Sequence, residues 1–330
     1  MVKENLIFLN GLIDLAQSRL GSKIVYKTDD FFASAKRIIS PWPPVFKEGV
    51  FDKHGKWMDG WETRRKRTKG YDYLILKLGK PGVINKVDID TSYFSGNHPN
   101  KISLQACLSN KKIPDKKTKW TTIIKKSHTK ANSHHFFKVK SKFLFTHVKL
   151  NIFPDGGVAR IRIYGSMKII KKFGKKILNL TSVLNGAVPI ACNNEHFGRA
   201  ENILAPGKGK NMGDGWETRR SRGKNFDWII IKCAEAGKVN NIQIDTHHFK
   251  GNYPDRCSLQ AAFINYKISE KNIVKKSKKW NLLLNKVKLR AHKKHNFKTK
   301  LMKNKKINYI KLNIFPDGGI SRIRVFGKIV

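Results

Sequence analysis

Lys149-Leu150-Asn151-Ile152-Phe153-Pro154-Asp155-Gly156-Gly157 returns unchanged as Lys311-Leu312-Asn313-Ile314-Phe315-Pro316-Asp317-Gly318-Gly319. Each copy alternates apolar and polar residues and then ends in proline, aspartate and two glycines. That is a strand running into a turn, because proline presets a negative φ and glycine tolerates a positive one. Nine identities in a row are not an accident of composition, so the chain is duplicated. Upstream, Asp59-Gly60-Trp61-Glu62-Thr63-Arg64-Arg65 recurs as Asp214-Gly215-Trp216-Glu217-Thr218-Arg219-Arg220, an offset of 155. The same offset aligns Asp90-Thr91 with Asp245-Thr246, Gly96-Asn97 with Gly251-Asn252, and Ser103-Leu104-Gln105-Ala106 with Ser258-Leu259-Gln260-Ala261. It grows to 160 at Trp120 and Trp280, and to 162 at the strand–turn block. The lysine-rich stretches 111–119 and 271–279 lie where the offset changes and read as surface loops.

Both copies read as β. Tyr73-Leu74-Ile75-Leu76-Lys77-Leu78, Val87-Asp88-Ile89-Asp90, His147 to Phe153 and Ala159-Arg160-Ile161-Arg162-Ile163-Tyr164 are short, partly alternating and rich in branched or aromatic residues. No long stretch of helical period competes. The expectation is an all-β protein of two tandem antiparallel jelly-roll or β-sandwich domains, over residues 24–166 and 181–330, joined by a basic linker at 167–180.

Of the 330 residues, 68 are Lys or Arg and 23 are Asp or Glu, a formal net charge of +45. Such a balance is the usual footprint of a polyanion binder. Yet only 15 of the basic residues are arginine, and the lysines crowd the presumed insertions. Phosphate recognition leans on the bidentate arginine fork, so the excess reads as a solvated surface with no specific nucleic-acid partner. Four cysteines without a Cys-x-x-Cys pair form no disulfide framework, which fits a reducing compartment. The apolar run Leu6 to Leu9 is too short for a secretion signal or a membrane span, so the chain reads as soluble, cytoplasmic and unattached to membrane.

Two regions carry chemistry. The Asp-Gly-Trp-Glu-Thr-Arg-Arg block sets carboxylates and paired guanidiniums about a tryptophan whose simplest role is core. Arginine is scarce here, yet it recurs in pairs at Arg64-Arg65 and Arg219-Arg220, where lysine would serve a merely solvated face. The second region is the strand-end loop Asp90 to Pro99, matched by Asp245-Thr246-His247-His248-Phe249-Lys250-Gly251-Asn252-Tyr253-Pro254, in which Asp245 and a histidine make a candidate acid/base set. No His/Cys spacing defines a metal site. Gly207 to Gly213 is glycine-rich but matches no phosphate-binding loop.

Taken together these blocks resemble the allantoicase family. The resemblance runs through Phe31-Phe32-Ala33, Gly55 to Glu62, Glu195 to Gly198, Asn211 to Glu217, His248 to Pro254 and Leu312 to Gly319, and so spans most of the chain. It implies jelly rolls of the galactose-binding-like type, hydrolysis of allantoate to ureidoglycolate and urea in purine (allantoin) degradation, and a homo-oligomer. No redox cofactor or nucleotide is required, and the need for a metal is left open. In one departure, the first copy has Tyr93 and His98 where the family pattern has His and Tyr.

That chemistry sorts the residues. The substrate carboxylate calls for a guanidinium, from Arg219 and Arg220 or from Arg64 and Arg65. Proton transfer falls to Glu217, Asp245 and His248, or to Glu62 and Asp90 in the first copy. Asn252, Gln260 and Asn97 suit the ureido groups. The rival readings are a non-catalytic duplicated binding module and a family member without activity.

Overall fold

The computed structural model describes residues 6–169, 176–221, 225–298 and 306–330. Residues 170–175 of the presumed linker lie outside the described residues. There are two compact units. One is Ile13–Lys168; the other is Ile169–Val330 together with the beginning of the chain through Leu12. In the latter, the short strand Ile7–Phe8 pairs antiparallel with Cys192 and Ala191.

Each unit is organised by one 19-residue strand, Asp72–Asp90 or Asp227–Asp245. In the first unit its leading half lies between Lys23–Lys27 and Leu144–Phe153, and its trailing half between Arg160–Met167 and His134–Lys138. Lys101–Cys107 and Thr121–His128 extend the sheet beyond Leu144–Phe153. The second unit repeats this with Val188–Cys192 and Ile307–Phe315 on the leading half, and Arg322–Ile329 and Lys294–Phe297 on the trailing half. All these pairings are antiparallel. Register shifts midway let one strand serve two faces, which closes each sandwich. Alternation then points Leu74, Leu76, Ile89, Leu104, Leu150 and Ile161 inward in the first unit, all fully buried. Each such side chain contributes about 1.5–3 kcal/mol relative to exposure.

The duplicated blocks are the joints of this architecture. Trp61 and Trp216 are fully buried, and their indole N–H groups donate to the carbonyls of Asp29 (2.7 Å) and Asn194 (2.8 Å). Two residues earlier in each block, Asp59 meets Arg160 at 2.6 Å and Asp214 meets Arg322 at 2.7 Å. Gly156 and Gly318 adopt φ of 133° and 129° in the repeated turn, as its composition requires, and the Phe-Pro peptides before them are cis. The following glycine is needed for space. A Cβ on Gly319 would stand 1.9 Å from the Phe249 ring, and one on Gly157 2.0 Å from Phe94. Gly319→Ala should therefore destabilise the second unit by about 1–3 kcal/mol. Denaturant unfolding checks this, and an unchanged midpoint would mean the ring moves aside freely.

Residues 111–119 are largely exposed loop. Over 271–279 the structure instead has the helix Glu270–Ser277. The Ser269 hydroxyl accepts from the Asn272 amide to cap it, and Ile273 and Val274 pack on a cluster with Ile190, Trp280 and Tyr309, so two apolar residues and a cap outweigh the lysines. Among the described residues no helix is long and apolar enough to cross a membrane. All four cysteines are free and buried, and burial pushes the thiols up, Cys107 to about 11 and Cys257 to about 12.

Candidate functional site

The retained blocks meet one another. Glu62 pairs across Gly157 and Glu217 across Gly319, so the Trp-Glu segment lies directly against the Pro-Asp-Gly-Gly turn. Thr63 and Thr218 donate their amide N–H to Gly156 and Gly318, and the Asp155 and Asp317 carboxylates accept the amides of Lys66 and Ser221. The strand-end loop closes the arrangement: Gly157 and Gly319 donate to the carbonyls of Asn97 (2.7 Å) and Asn252 (2.8 Å). The outcome in both copies is one pair, the asparagine amide donating to the glutamate. Asn97 Nδ2 is 2.6 Å from Glu62 Oε1, and Asn252 Nδ2 bonds Glu217 Oε1. Burial raises the Glu62 carboxyl above its ordinary range, against the opposing effect of the Asn97 bond.

The remaining candidates fall into two groups. Asp90 and Asp245 end the long strands, buried, with Oδ1 accepting from Ser92 N (2.8 Å) and His247 N (2.9 Å). His248 follows in the same loop that carries Asn252. Its Nε2–H donates to the Gly209 carbonyl at 2.9 Å, since a carbonyl can only accept. The 207–213 segment, whose glycines suit no phosphate loop, thus holds His248 through Gly209 and touches Asn252 Nδ2 with Met212 Sδ at 3.8 Å. Glu217, Asn252, His248 and Asp245 are in this way linked through one strand-end loop.

The arginine pairs and Gln260 are placed differently. Arg64 is exposed and holds Asp29 at 3.0 Å, while Arg65, Arg219 and Arg220 are exposed on the same segments. Hydrogen bonds from Arg64 and from the Phe31 amide overcome the burial penalty on Asp29 and hold its carboxyl below the usual range. Gln260 is engaged within the sheet, donating to the Trp280 carbonyl (2.9 Å) and accepting from Asn313 (3.2 Å). Tyr93, at the position of His248, stacks on Phe46 at 5.7 Å. Sequence reasoning noted the segment of Gly209 and Met212 but gave it no place beside His248, and it missed His292, whose ring lies 3.9 Å from that of His247. Only the 160-residue offset, which sets His292 against Asn132, could have drawn attention to it. Among the described residues no three or more His, Cys, Asp or Glu side chains are arranged to hold a metal. A cavity lined by Lys232, Tyr266, Asn308 and Tyr309 draws on none of the candidates.

Fold and site together define a duplicated antiparallel β-sandwich with a glutamate–asparagine pair at the strand-end loop of each copy. The model of the allantoicase repeat matches residues 13–168 and 178–330, and the chain belongs to the allantoicase family. It is 48% identical over 319 residues to a probable allantoicase of Pseudomonas fluorescens, covering 96% of each chain. It is 45% identical over 324 residues to probable allantoicase 1 of Burkholderia mallei, covering 98% of this chain and 96% of that one. The crystal structure of allantoicase from Saccharomyces cerevisiae matches with a TM-score of 0.78 at 34% identity, covering 96% of this chain and 93% of that one.

Proposed function

We propose that this chain hydrolyses allantoate to ureidoglycolate and urea in purine degradation, with the second copy carrying the chemistry. The observation that carries the reading is the Glu217–Asn252 pair, joined through its loop to His248 and Asp245, in a chain similar over nearly its whole length to allantoicases.

Allantoate is a carboxylate whose central carbon bears two ureido nitrogens and a hydrogen. Hydrolysis breaks one carbon–nitrogen bond and forms one carbon–oxygen bond. Urea is a poor leaving group, so an acid protonates the departing nitrogen while the other ureido nitrogen stabilises positive charge on carbon. A base takes a proton from the incoming water. Glu217 and Asp245 are the proton-transfer groups, with His248 between the roles of base and acid according to its charge. With Nε2–H held by Gly209, neutral His248 presents Nδ1 as its basic atom. Asn252 fits a ureido carbonyl or amide, and Arg219 or Arg220 the substrate carboxylate. Gln260 reaches ureide only if it gives up its contacts within the sheet, so it ranks below Asn252. Glu62, Asp90, Asn97, Arg64 and Arg65 form the corresponding set of the first copy, where Tyr93 replaces the imidazole.

The proposal needs no nucleotide or redox group, and it includes a homo-oligomer in a reducing, cytoplasmic setting. The test is purified protein with allantoate, following urea and ureidoglycolate with and without chelator, beside light scattering for the oligomer. Binding of allantoate without turnover would favour the binding-module reading.

A further inference from the structure

We propose that His292 is a positioning residue that holds His248 in place for proton transfer only while His292 is uncharged; this rests on the second-copy reading above. His248 has a left-handed backbone, φ 73°, and its amide N–H donates to His292 Nδ1 at 3.0 Å. The first copy builds the same turn from other residues: Tyr93 has φ 68°, and its N–H donates to Asn132 Oδ1 at 2.9 Å. The surroundings correspond bond for bond. Phe94 and Phe249 donate to Thr91 and Thr246, each at 3.0 Å. Asn132 and His292, with φ of 46° and 48°, donate back to the carbonyls of Phe94 (3.3 Å) and Phe249 (3.0 Å). Asparagine suits that left-handed position better than histidine does, so the imidazole is the dearer choice for the same structural task.

The two acceptors differ in one respect. An amide oxygen accepts at any pH, whereas an imidazole nitrogen accepts only when it carries no proton. Accepting through Nδ1 fixes His292 as the Nε2–H tautomer. Protonating it would set N–H against N–H and release a backbone held in a costly conformation. The groups facing it weigh against the charge: among the described residues, the rings of His247 and His248, and Lys250, are opposed by Asp245, with Lys293 next to it in its own segment. Loss of hydration against these neighbours, then the charges of His247, His248 and Lys250, lower its pKa. The hold on His248 is therefore kept at neutral pH and given up on acidification, a dependence that the first copy, built on Asn132, cannot have.

The experiment uses the full chain, His292→Asn and His292→Ala. Kcat/KM for allantoate is followed from pH 5 to 8, and the His248 imidazole is titrated by ¹H–¹⁵N NMR. His292→Ala should lose about 10-fold or more in kcat/KM, since misplacing a reacting group is costly. His292→Asn should restore most of that loss, because Asn132 does this task in the first copy. In the parent the His248 signal should show a second inflection from His292, absent in His292→Asn, and the acid limb of the rate profile should become shallower in that variant. Identical His248 titrations in parent and His292→Asn would overturn the proposal. Coupled titrations without allantoate turnover would leave the positioning intact and sink the function reading instead.

Discussion

Glu217→Gln is expected to lower kcat for allantoate by about 10²–10⁴ while leaving the fold unchanged. Glutamine keeps the size of the side chain and can still receive the Asn252 amide, so the variant deletes proton transfer and little else. Glu62→Gln is the internal comparison, because Glu62 makes the corresponding bond to Asn97 in the first copy. A large loss in Glu217→Gln with a small one in Glu62→Gln assigns the chemistry to the second copy. The opposite ranking would move it to the first, and two small losses would reduce both pairs to structural joints. Measuring kcat and KM separately matters, since loss of a transition-state proton transfer lowers kcat, whereas loss of uniform substrate binding raises KM alone.

Asp214→Ala should have the largest effect on stability. Asp214 and Arg322 are both almost fully buried, and the guanidinium also donates to the carbonyls of Asp214 and Ser321. Removing the carboxylate strands a buried cation, which costs roughly 3–5 kcal/mol. For a unit of this size each kcal/mol moves the melting temperature by about 2–4 °C, so a drop on the order of 10 °C is expected by calorimetry. Adding Arg322→Met should recover part of it, because replacing both members of a buried pair by apolar groups is far less costly than breaking it. An unchanged melting temperature in Asp214→Ala would show that the pair does not anchor the block.

These joints explain what the sequence discloses. The blocks that stand out as repeats, at Trp61, Phe153 to Gly157 and Gly96-Asn97, are the segments that bond to one another, so their pattern is local and legible. The strand Asp72–Asp90 is not. The sequence reads Tyr73 to Leu78 and Val87 to Asp90 as two separate short strands, whereas the chain runs through Pro81-Gly82 between them as one strand and changes neighbours there. The burial of such a strand follows two partners, and no single period describes it. Glu270–Ser277 was hidden by its lysines, and Ile13–Asp14, two residues long, is defined only by pairing with Tyr164 and Gly165. At the site, glutamate, asparagine and histidine could be named from the repeat and from what the family resemblance implies. The Gly209 carbonyl and His292 could not, because their contact with His248 comes from loops 39 and 44 residues away. Arg160 reads as a strand residue, and only the tertiary structure reveals its carboxylate partner Asp59 and the matching Asp214 of Arg322.

The central claim is tested most directly by the products. Purified protein incubated with allantoate should release urea and ureidoglycolate in equal amounts, and Glu217→Gln, folded like the parent, should release both far more slowly. Unchanged allantoate with the well-folded parent, with and without added divalent metal, would contradict the account.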